Sequence, residues 1–102
     1  GAVGGVATES KEKRQAQDQE RISDILLLQT ALDQYFTAYQ RYPKNLSELV
    51  TAGLLTSLPT DPKTDEPYLY NPLSEPPLYY SISFILAEDA GSFKAGFNSV
   101  TN

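Results

Sequence analysis

With 102 residues, 40% of them hydrophobic and 21% charged, the chain has the size of one small domain and no room for a second core. It contains no Cys and no His, which excludes disulfides, thiolate metal sites, thiol nucleophiles and the commonest general base. A net charge of −5 argues against a phosphate-binding surface of clustered Lys and Arg, so no nucleic-acid partner is expected.

Gly1 to Ala7 is too short and too glycine-rich for a signal peptide and reads as a tag remnant or flexible stub, with a single domain over 8–102. No run approaches the roughly 20 apolar residues of a membrane-spanning helix. A long helix is expected over 8–41. It would measure roughly 50 Å against about 30 Å for a compact domain of this size, so one end is expected to protrude. Its first half, to Arg21, is polar on every face, with Glu9 and Lys13, Arg14 and Asp18, and Asp18 and Arg21 at supportive spacings. Nothing there is expected to be buried. It is either a solvated terminus or a helix continued from a longer parent chain.

From Ile22 the 100° periodicity places Ile22, Ile25, Leu26, Leu28, Leu32, Tyr35, Phe36 and Tyr39 on one half of the helix, the core face. On the far side lies a second line, Leu27, Ala31, Gln34 and Ala38. Its small residues would let another helix approach closely, although alanines there also serve plain helix propensity. Leu27 is a large aliphatic turned away from the core.

Tyr42 before Pro43 ends the helix. A short helix over 45–53 follows, with Asn45 and Glu48 in capping-box spacing, Leu46, Leu49 and Val50 on one face, and Gly53 at its end. Asp61 before Pro62 fits an Asx-type turn. Asp61, Asp65 and Glu66 cluster on this loop without a nucleophile or base beside them, so catalysis is not expected. The remainder reads as a sheet over 67–98: a strand at Tyr68 to Tyr70, a proline-rich loop from Asn71 to Pro77, a strand from Leu78 to Ala87, a hairpin loop at Glu88 to Ser92, and a last strand from Phe93 to Asn98. In the middle strand Tyr80, Ile82, Phe84 and Leu86 form the apolar face. The expected fold is α+β, a long N-terminal helix packed on a three-stranded antiparallel sheet with a short second helix.

In this order, Arg21 to Ile25, Leu28 to Phe36, Tyr42-Pro43, the Leu46 to Leu49 helix, Leu58 to Pro62 and Pro67 to Tyr70 make the chain resemble the soluble part of a type IV pilin-like protein, most of all the major pseudopilins of type II secretion and related pilins. The resemblance implies a structural filament subunit that polymerises through its N-terminal helix, with Leu27, Ala31, Gln34 and Ala38 as candidate assembly face. It also implies a prepilin whose hydrophobic N-terminal segment is cut and methylated and anchors it in the inner membrane. The sequence then reads as an anchor-deleted form. Expected partners are other copies, minor pilins and the inner-membrane assembly platform, with the domain in the periplasm or outside the cell. Major pseudopilins resemble calcium-binding proteins in a C-terminal loop. The nearest oxygens here are Glu88, Asp89 and Ser92, with a residue near Asp61 or Asp65, and no other cofactor is expected. The sequence departs from the family at Lys63 to Glu66, where an aromatic-Gly-Asn turn is common. An alternative function, minor pilin or adhesin-type binding module, would use the Tyr- and Pro-rich segment from Tyr68 to Tyr80.

Overall fold

Ser10 opens the long helix: its hydroxyl accepts the Lys13 N–H at 3.1 Å, satisfying one of the first-turn donors. The structure, a computed structural model, describes residues 10–102, so the expectations for Gly1 to Ala7 and for a helix start at Thr8 lie outside the described residues. Helix α1 spans Lys11–Tyr39, 29 residues or about 43 Å. It stops at Gln40, whose φ of 62° is left-handed and whose N–H returns to the Phe36 carbonyl at 2.7 Å. Among the described residues no helix is long and apolar enough to cross a membrane.

Helix α2 is Ser47–Thr51, shorter than the predicted 45–53. The capping box does not form. Leu46 occupies the N-cap without a side-chain bond, Asn45 accepts from the Ser47 hydroxyl instead, and the Glu48 carboxylate takes the Lys44 N–H at 3.0 Å and the Tyr35 hydroxyl at 2.8 Å. Glu48 thereby ties α1, through Tyr35, to the start of α2. Those donors hold the Glu48 carboxyl below the usual range, the Tyr35 bond contributing most. Gly53 follows with φ of 78°, as its place after the helix requires.

Three strands, β1 (Leu69–Leu73), β2 (Tyr79–Leu86) and β3 (Gly96–Thr101), form an antiparallel sheet in the order β1-β2-β3. β2 buries Tyr80, Ile82, Phe84 and Leu86, the predicted face. These pack with Ile25, Leu28, Ala31, Leu32 and Tyr35 of α1, and with Leu46, Leu49 and Tyr68, in one core. The fold is therefore α+β, a long helix and a short one with a three-stranded antiparallel sheet. The Tyr42 ring stands edge-on to Tyr80 at 4.8 Å and tilted to Phe36 at 4.8 Å, so the aromatic cluster closes the end of the core where α1 stops.

Four readings of the sequence are corrected. Asn71-Pro72-Leu73 is strand rather than loop: β1 is an edge strand, where the missing proline N–H is tolerated. The last strand begins at Gly96, not Phe93. Phe93 instead pairs with Ala90 in a tight turn and presents its ring edge-on to Phe84 at 5.3 Å, because core contact there outweighs continued alternation. Leu26, placed on the core face by periodicity, is 59% exposed, and Tyr39 is also exposed. Ala31, placed on the far face, is buried in the core. The covered arc is displaced toward Ala31 because α2 packs beside α1 as well as the sheet.

Candidate functional site

The polar half of α1 docks through charge. Arg14, Asp18, Arg21, Ile25, Leu28, Leu32 and Tyr35 follow one another at spacings of four and three, so ionic groups continue the stripe that the apolar residues occupy further on. Asp18 and Arg21 are 1% and 5% exposed, which overturns the expectation that nothing before Ile22 is buried. The Asp18 carboxylate accepts from Arg21 Nη1 at 2.7 Å and from the backbone N–H groups of Ala87 and Glu88 at 2.9 and 2.8 Å. It thereby caps the end of β2.

Arg21 is shared between two acids. Its Nε and Nη2 reach the two oxygens of Asp61 at 2.7 and 3.1 Å, a forked pair. Asp61 also accepts the Lys63 and Thr64 N–H groups at 2.9 and 3.2 Å, the expected Asx turn. Burial alone would raise the Asp61 carboxyl, but Arg21 and those two amides outweigh it and hold it below the usual carboxylate range. The Asp61 hydrogen bond is the main influence that raises Arg21 above its ordinary value. One turn on, the Tyr68 hydroxyl donates to Asp24 at 2.7 Å. Burial raises the Asp24 carboxyl and this bond opposes it. Tyr68→Phe removes the opposing bond and keeps most of the burial, so Asp24 is expected to titrate at higher pH than in the parent protein, read by carboxyl-carbon NMR. An unchanged Asp24 titration would show that the bond does not control it.

Closer to the N-terminus, Arg14 Nε meets Glu88 at 3.0 Å, rather than the Asp18 it was expected to support. The candidate calcium oxygens are accordingly spread. Glu88 turns to Arg14, Asp89 accepts the Ala95 N–H at 2.8 Å with Lys94 Nζ at 4.0 Å, and Ser92 is exposed. Asp65 accepts from the Thr60 hydroxyl at 2.9 Å. No group of three or more Asp, Glu, His or Cys able to hold a metal ion occurs among the described residues.

The candidate assembly line divides. Leu27, Gln34 and Ala38 lie on the uncovered side of α1, Leu27 with 47% exposure, while Ala31 is buried. Leu26 joins the uncovered side in its place. Of the Tyr- and Pro-rich segment, Tyr68, Pro77 and Tyr80 are buried and Tyr70 is half-buried, its hydroxyl donating to the Pro43 carbonyl at 2.6 Å. Burial pushes the Tyr80 hydroxyl up to about 12. Leu73, Leu78 and Tyr79 remain exposed beside the turn that holds the cis Glu75–Pro76 bond.

On the outer face of the sheet lies a groove of about 460 Å3 whose walls include Leu69, Ile85 and Phe97, with Arg21, Asp61 and Tyr68 at one end. Leu69 pairs across strands with Ser83 and Ile85 with Phe97, so the three apolar side chains form a row across the sheet. They are 70%, 63% and 69% exposed. Lys63 and Glu66 also line the groove, while Arg21 and Asp61 are already paired with each other. The sequence showed Ile85 and Phe97 only as members of alternating strands. Leu69, more than ten residues away, joins them only once the register is set. No protein-family model, curated protein or solved structure matches the chain.

Proposed function

We propose that the chain is the soluble domain of a structural filament subunit of the type IV pilin-like class, from a type II secretion pseudopilus or a related pilus. The observation that carries this reading is the uncovered face of α1. Over about four turns the helix leaves Ser23, Leu26, Leu27, Thr30, Gln34, Thr37 and Ala38 exposed, and no basic residue interrupts them. Two adjacent leucines on the outside of a helix otherwise held by the core are a contact surface for another helix. In this reading an apolar helical segment upstream of α1 anchors the precursor in the inner membrane, and the sheet domain faces the periplasm or the exterior. Its partners are further copies, minor pilins and the inner-membrane assembly platform, and its action is polymerisation.

Leu27→Glu in the full-length protein, produced with its native assembly apparatus, is expected to abolish sheared or surface-labelled filaments. The isolated domain carrying the same change should melt within about 2 °C of the parent, since an exposed substitution costs little. Filaments at the parental level in the variant, or none from the parent, would defeat the reading. A second reading, a minor pilin or adhesin-type binding module, draws on the exposed group Leu73, Leu78 and Tyr79. Filaments that form without the chain but lose their tip-dependent attachment when it is deleted would favour it.

A further inference from the structure

β3 is an unprotected sheet edge. Natural edge strands are kept apart by charge, proline, bulges or a covering element. Among the described residues β3 has none of these: Gly96–Thr101 carries no charged residue and no proline, and it pairs with β2 at all six positions without a bulge. Among the described residues no strand lies beyond it. The opposite edge differs, because β1 is shorter and contains Pro72. The apolar row of Leu69, Ile85 and Phe97 runs across the outer face and ends at this edge, with Phe97 its outermost member.

We infer that β3 pairs antiparallel with β3 of a second copy of this chain, joining the two sheets into one of six strands in the order β1-β2-β3-β3-β2-β1. Charge selects this occupant. A strongly acidic or basic strand finds no ion pair on an edge without charged side chains, whereas two such edges meet without the repulsion that a net charge of −5 brings to most other faces. Pairing about a two-fold axis through Asn98 or Phe97 keeps outward residues beside outward residues, because directly opposed positions share a face. It sets Phe97 of one copy next to or diagonal from Phe97 of the other, within reach of aromatic contact. The two apolar rows then become one continuous row, and both rings leave water. The contact uses one strand per copy and sits at the small end of the interface range, so it is weak and reversible. It uses none of the helix face invoked for filament assembly, and the two stand or fall separately.

The absence of Cys allows a clean test on the 102-residue protein. Single cysteines are placed at Phe97, Asn98, Ser99, Val100 and Thr101, with Leu73→Cys as control, and disulfide-linked dimer is measured after mild oxidation. A two-fold edge pair brings one residue opposite its own copy at a Cα separation a disulfide can span, so crosslinking is expected to peak at one position and fall at its immediate neighbours. In parallel, sedimentation should show reversible dimer in the parent, and Ser99→Lys should weaken it at least about tenfold. A flat crosslinking profile at the level of the control overturns the inference, as does a parent that stays monomeric up to about millimolar concentration. An intrachain crosslink between Val3→Cys and Ser99→Cys in a monomer overturns it too, by putting the chain's own first residues on the edge.

Discussion

Arg21→Ala is expected to lower the unfolding midpoint by roughly 15 °C or more. Removing one partner of a buried ion pair costs about 3–5 kcal/mol, because the other is left charged and unpaired, and in a domain of this size each kcal/mol moves the midpoint by about 4–8 °C. Here one guanidinium serves two carboxylates. Without it, Asp18, 1% exposed, keeps only the Ala87 and Glu88 amides, and Asp61 keeps only the amides of its own turn. Arg21→Lys is expected to recover only part of the loss, since an ammonium cannot make the forked pair with Asp61 while reaching Asp18. The double substitution Arg21→Ala with Asp61→Ala should cost clearly less than the sum of the two singles, because each single strands the other's charge.

The same network sets a dependence on pH. The Asp61 carboxyl lies below its ordinary value of 3.8, so its stabilisation is complete above that value and is lost as pH falls through the lower folded one. Asp24 is raised and acts the other way, favouring the folded state at acid pH and losing that contribution as pH rises through its folded value. Denaturant unfolding between pH 7 and pH 3 should therefore show a loss below about pH 4 in the parent, and a smaller loss there in Arg21→Ala. Equal slopes in the two proteins would mean that Asp61 is not held down by Arg21.

Leu32→Ala is expected to cost about 2–5 kcal/mol, and Leu26→Ala, six residues earlier on the same helix, under about 0.5 kcal/mol. Leu32 is completely buried between the sheet and the helical layer, and its truncation leaves a cavity that β2, paired on both sides, cannot close. Leu26 is mostly in water already. Thermal unfolding of the two variants measures where the covered arc of α1 ends. Similar losses at both positions would mean that the arc reaches Leu26 and that the uncovered face is narrower than described.

The apolar period made the second half of α1 legible, because Ile25, Leu28, Leu32 and Tyr35 repeat at helical spacing. The first half kept that spacing in Arg14, Asp18 and Arg21 but changed its chemistry, and a reading by hydrophobicity stops where the apolar residues stop. The partners that justify burial are also distant: Asp61 is 40 residues from Arg21, and the Ala87 and Glu88 amides about 70 from Asp18. Only the local Asp18 and Arg21 pair was visible. β2 was read within one residue at each end because its alternation is unbroken. Phe93 misplaced β3, since a half-buried aromatic beside a turn has the same alternating signature as one in a strand. The candidate assembly line was half legible: Leu27 is where the periodicity puts it, whereas the side on which α2 settles, which buries Ala31 and frees Leu26, is a tertiary choice.

Asp18 also makes α1 a ruler for the sheet. Its carboxylate ends β2 by taking the next two amides, and Ile25 and Leu28, two to three turns on, fix the same strand from inside. One residue inserted between them would turn the carboxylate by 100° and carry it 1.5 Å along the axis, leaving the core correct and the strand end uncapped. Seven inserted residues would restore the angle but overshoot by about 10 Å. The spacing from Asp18 to Ile25 is thus a length standard shared by helix and sheet, and the helix admits no insertion or deletion between those two residues without uncapping the strand.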